Sequence, residues 1–160
     1  MGIPQQLQVP KNEQWLNASR PVSPSATNRS DGQLEVAVIF TCPEATIRAL
    51  RRTGALLRGL NARIDLIATQ TVPYPLAVDN PPISVGFSEA RLLDVARRSQ
   101  VETTVSLYLC RSRLQMLTSV LNRGSLVVLG TRKTWLPTWE QKLARKLECA
   151  GHRVILVELS

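Results

Sequence analysis

At 160 residues and 44% hydrophobic content, the chain suits one globular domain with enough length to bury a core. No apolar run approaches the ~20 residues that cross a bilayer, and residues 1–33 lack an apolar signal-peptide centre. The expectation is a soluble, cytoplasmic protein with no membrane contact. The net charge of +8 raises the question of a polyanionic partner, but aromatics are only 4%, and a nucleic-acid surface usually interleaves cations with exposed aromatics. The arginines also fall on predicted helices that carry apolar stripes, which suits solvated outer faces, so nucleic acid is not the expected partner.

Residues 1–33 are rich in Gln, Asn, Ser and Pro with almost no periodic apolar pattern, and read as a disordered tail ahead of a domain over 34–160. Trp15 and Leu16 are its one notable apolar pair. From Leu34 the chain alternates strand and helix. Leu34 to Thr41 is a first strand, and Thr41-Cys-Pro-Glu44 carries the signature of a helix start with proline in the first turn. That helix is expected to run to about Leu60, packing Ala49, Leu50, Leu56, Leu57 and Leu60. Arg63 to Thr71 follows as a second strand, then the proline-rich loop Val72 to Pro82.

Ser88 to Ser99 is a second helix with Ala90, Leu93, Ala96 and Arg97 on the packed face, and Val101 to Cys110 a third strand. Arg111 to Leu121 is a third helix packing Leu114, Leu117, Val120 and Leu121. Ser125 to Leu129 is a fourth strand that breaks at a Gly130 turn. A fourth helix follows, with Leu136, Leu143, Leu147 and Ala150 at helical spacing and Trp139 beside them, and Val154 to Leu159 closes the chain as a fifth strand. The apolar runs are continuous, as in a parallel sheet covered on both faces. Strict alternation of five strands and four helices gives an α/β fold, a three-layer α/β/α sandwich of doubly wound, Rossmann-like type.

Val36-Ala-Val-Ile-Phe-Thr41-Cys-Pro-Glu44, the strand from Ile64 into the proline-rich loop, Leu126-Val-Val-Leu-Gly130-Thr-Arg132 and the ending Ala150-Gly-His-Arg-Val-Ile-Leu-Val157 resemble the universal stress protein family. The resemblance spans about 34–159. It implies strand order 3-2-1-4-5, an adenine nucleotide alpha hydrolase-like arrangement, and, in members that bind ATP, a site across the crevice between strands one and four. It also implies dimerisation, often through the last strand. The departures are specific. Nucleotide-binding members carry an acidic residue where this sequence has Thr41. Of their signature Gly-x2-Gly-x9-Gly-Ser/Thr only Gly130 is kept, with Lys133 at the second glycine and Leu143-Ala144 at the last pair. Those glycines let backbone approach phosphates.

Strand ends of a parallel sheet converge on one edge, which gathers Thr41, Cys42, Arg111, Arg113, Gly130, Thr131, Arg132 and Lys133. Two hypotheses follow. One is a small-anion or nucleotide site, with ATP or AMP as the possible ligand, centred on Thr41, Gly130, Thr131, Arg132 and Lys133. The other is a regulatory protein that works by dimerisation through the last strand and contact with a protein partner, with Trp15, Trp135 and Trp139 as candidate anchors, ATP binding lost or altered and no resident cofactor. Catalysis has no evident constellation: His152 sits at the opposite edge, and Cys42 and Cys110 lack a histidine partner. Cys149 and His152 make only two potential metal ligands, short of the usual three or four.

Overall fold

A computed structural model describes residues 7–8, 32–134 and 136–159. The elements are β1 (Leu7–Gln8), β2 (Leu34–Ile39), α1 (Pro43–Leu56), β3 (Ala62–Thr71), α2 (Val85–Ser99), β4 (Thr104–Cys110), α3 (Arg113–Val120), β5 (Leu126–Arg132), α4 (Trp139–Cys149) and β6 (Arg153–Leu159). The sheet is wholly parallel in the order β1-β4-β3-β2-β5-β6. The five longer strands have the expected order 3-2-1-4-5. The two-residue β1 adds a sixth strand to the β4 edge, with Leu7 opposite Val105 and Gln8 opposite Ser106. No periodic pattern announces it. The rest of the expected tail up to Asp31, Trp15 and Leu16 included, lies outside the described residues.

Both faces of the sheet are covered, which is why its strands read as unbroken apolar runs. On one face Val36, Val38, Leu66, Val105 and Val128 meet Ile47 and Leu50 of α1 and Leu92 and Val95 of α2. On the other, Ala37, Ile39, Val127 and Leu129 meet Leu117 of α3 and Leu143 and Leu147 of α4. Alternate residues of each strand thus feed separate cores.

Several local expectations give way. α1 ends at Leu56, with Gly59 at φ +82° turning the chain, so Leu56 and Leu60 are 66% and 58% exposed instead of packed. α2 buries Leu92, Val95, Ala96 and Ser99, while Ala90 and Arg97 face solvent. Ser99 can be buried because its hydroxyl donates to the Ala96 carbonyl at 2.6 Å. Within α3, Leu117 and Met116 are buried, Leu121 is buried just beyond it, and Leu114 and Val120 are half-buried. α4 begins only at Trp139, where Thr138 and Gln141 form a reciprocal capping box. Leu136 precedes the helix and is exposed, as is Ala150 after it.

Gly130 does not turn the chain. β5 runs on through Gly130, Thr131 and Arg132, held by β6 with Val157, Glu158 and Leu159 opposite them.

Candidate functional site

The order reversal of this sheet falls between β2 and β5, and their carboxyl ends are where an open α/β sheet usually leaves a ligand crevice. β2 delivers Thr41 and Cys42 there, and β5 delivers Gly130 to Arg132. Cys42, not Thr41, is the N-cap of α1, and its side chain makes no capping bond. Thr41 is turned across the crevice: its hydroxyl donates to the Gly130 carbonyl at 2.8 Å, while its backbone N–H donates to the Thr46 hydroxyl at 3.2 Å.

Gly130 is required by packing. A Cβ there would strike the Ala45 carbonyl oxygen and come within 2.9 Å of the Ala45 Cβ. The first turn of α1 therefore lies directly on β5. Thr131 is buried, its hydroxyl 3.4 Å from that of Thr138. Arg132 and Lys133 are exposed, and Arg132 lies 3.7 Å from Glu44, a solvent-exposed pair of little energetic weight. Leu143 and Ala144 are buried within α4, facing the sheet.

The remaining two predicted cations are engaged with backbone carbonyls and aromatic rings. Arg111, at the end of β4, holds the proline-rich loop, donating from Nη1 to the Val72 carbonyl at 2.7 Å and from Nη2 to that of Leu76 at 2.6 Å. Its guanidinium lies 4.1 Å from the centroid of Tyr74. Arg113 opens α3 and lies over Trp139, the first residue of α4, at 4.3 Å. A third pair, Arg91 over Phe40 at 5.7 Å, stands at the same sheet edge. Sequence reasoning missed these pairings. The signal available was the Pro73-Tyr74-Pro75 triplet, which holds an aromatic out of any regular element.

The cysteines are free, with Cys42 half-buried, Cys110 buried and Cys149 exposed. Burial pushes the Cys110 thiol up, against the opposing influence of its Thr71 hydrogen bond and the Arg113 charge, so it is poorly suited to act as a nucleophile. His152 is buried at the amino edge, and its Nδ1 has no hydrogen-bond partner among the described residues. Among the described residues no cluster of His, Cys, Asp or Glu is arranged to hold a metal, and no helix is long and apolar enough to cross a membrane. Trp135 lies outside the described residues.

A separate apolar recess of about 60 Å³ opens at the amino-terminal half of the sheet, between α1 and β6, lined chiefly by Leu56, Leu57, Leu126, Ile155 and Val157. Ile155 and Leu156 on the edge strand β6 are each 40% exposed.

No family model matches the sequence, and no curated protein matches it. Solved structures do. One is a universal stress protein in complex with cAMP, 16% identical, with a TM-score of 0.53 over 79% of this chain and 98% of the other. Another is a protein from the universal stress protein family from Burkholderia pseudomallei, 16% identical, with a TM-score of 0.45 over 77% of this chain and 94% of the other. The first likeness, with the strand order and the helices on both faces, shows that this chain has the universal stress protein fold.

Proposed function

We propose that the protein is a cytoplasmic stress-response domain that acts by self-association and contact with a protein partner, without enzymatic turnover and with ATP binding in the family manner lost. The observation that carries this reading is the hydrogen bond from Thr41 to the Gly130 carbonyl at 2.8 Å, which joins the two walls of the crevice. A second support is that β5 stays paired through Arg132, so Thr131 and Arg132 serve a strand ladder instead of a phosphate loop.

Self-association is supported by β6, an edge strand whose outer side pairs with no other strand among the described residues and which exposes Ile155 and Leu156. The recess beside it, with Leu56 at its rim, extends the apolar area.

Calorimetric and thermal-shift titrations with ATP, AMP and cyclic AMP test the crevice. The expected outcome is neither heat nor shift, and saturable binding of any of the three overturns the reading. Light scattering at micromolar concentration is expected to give the mass of two chains; the mass of one removes the self-association part.

A second reading, a nucleotide or small anion held near Arg132 and Lys133, is favoured by one observation: the similar universal stress protein is in complex with cAMP. The same titrations separate the two readings.

A further inference from the structure

The chain has three tryptophans, two tyrosines and two phenylalanines, yet three of these few rings gather at the carboxyl edge of the sheet, each beside an arginine. Tyr74 stands with Arg111 beyond β3 and β4, Phe40 with Arg91 beyond β2, and Trp139 with Arg113 where α3 and α4 begin. These are pairings between separate elements, so the fold builds them and local sequence does not.

The Tyr74 pair is open and rigid at once. Tyr74 is 81% exposed, so much of its ring is free for a partner. The loop that carries it is pinned by Arg111 through the Val72 and Leu76 carbonyls, so little freedom remains to be lost on binding. With donors committed to those carbonyls, Arg111 is poorly placed to grasp a carboxylate; its charge is expressed through the ring it underlies. Trp139, 40% exposed, offers a second ring with Arg113 against it.

Arg91, Arg132 and Lys133 are exposed at the same edge. Glu44 offsets Arg132 in part, and Asp79 and Glu140 also lie in this region, so the edge itself is only modestly cationic. The chain as a whole carries +8, a field that draws in polyanions from a distance. Open rings and cations together match a ligand with both base faces and phosphates. A duplex hides its base faces, and an acidic peptide has none.

We propose that this edge binds single-stranded nucleic acid, with bases stacking on Tyr74 and Trp139 and phosphates meeting Arg132 and Lys133. The surface shares Arg132 and Lys133 with the margin of the crevice but uses neither Thr41 nor β6, and it needs no nucleotide seated beside Thr41, so it does not depend on the reading above.

The test is fluorescence anisotropy of the full chain with a labelled oligouridylate, a duplex of equal length and a labelled polyglutamate peptide, at low and moderate salt. The expected result is binding of the single strand that weakens as salt rises. Tyr74→Leu should weaken it about ten-fold, the scale of one lost base stack, and Lys133→Gln should reduce the salt slope by about 1. Tyr74 is mostly exposed, so Tyr74→Leu should keep the wild-type thermal midpoint, which verifies that the variant is folded. The proposal fails if the oligouridylate does not bind at low salt, if the duplex or the peptide binds as tightly, or if folded Tyr74→Leu binds with unchanged affinity.

Discussion

The Thr41 hydroxyl donates to the Gly130 carbonyl at 2.8 Å, linking residues 89 positions apart in the chain. Thr41→Val keeps the shape and removes the donor, leaving that carbonyl without its side-chain partner. The expected cost is about 1–2 kcal/mol, read as a lower urea midpoint with an unchanged slope.

Gly130→Ala should be worse, because the new Cβ meets backbone and not a flexible side chain. The Ala45 carbonyl can retreat only by moving the first turn of α1 off β5. A loss of about 3 kcal/mol, the upper part of the usual overpacking range, is expected in equilibrium unfolding. Lys133→Gly, by contrast, changes an exposed position and should gain no ATP affinity by calorimetry, since the strand pairing before it is untouched.

Arg111→Ala removes both hydrogen bonds to the loop that follows β3 and the support beneath Tyr74. A stability loss of about 2 kcal/mol is expected. The more direct reading is local: amides of residues 72–84 should exchange faster and the loop should be cut earlier by protease, while exchange in β2 and β5 stays slow.

Asp65 gives a pH prediction with a definite sign. Burial raises its carboxyl above the usual aspartate range, and the opposing Arg63 charge and hydrogen bond at 2.9 Å do not fully offset this; nearby Glu35 adds to the rise. The folded chain therefore binds this proton more tightly than the unfolded chain. The group's contribution is most favourable below the ordinary aspartate range and declines as pH rises through the raised folded value. Asp65→Asn should thus be more stable than wild type at neutral pH, with the difference shrinking on acidification, as measured by denaturant midpoints across that range.

The layered α/β fold was legible because buried parallel strands leave continuous apolar runs such as Leu126 to Leu129, and those runs alternate with helical stripes. Finer placements were not. In α2, adjacent Leu92 and Leu93 satisfy two overlapping helical faces, and the deciding residue is Ser99, a polar side chain that the core accepts only because Ala96 receives its hydroxyl. At Gly130 the local signal is a turn, yet Val157 to Leu159 arrive from the end of the chain and keep the strand going. The residues expected at the carboxyl edge do lie there, but their engagements with Ala45, Glu44, Val72 and Leu76 depend on contacts distant in sequence. The aromatic partners of the arginines were hidden for the same reason: composition counts rings without saying where the fold collects them.

β1 alters what the sheet can join. By pairing at Val105 and Ser106 it covers the start of the β4 side and blunts it, which leaves β6 as the one bare margin of full strand length among the described strands. A molecule with one such margin has a valence of one. Two copies that meet there across a two-fold axis run antiparallel and use up both margins at once, so association stops at the pair. Strip away Leu7 and Gln8 and the valence becomes two, the condition for open-ended stacking of sheets instead of a closed dimer.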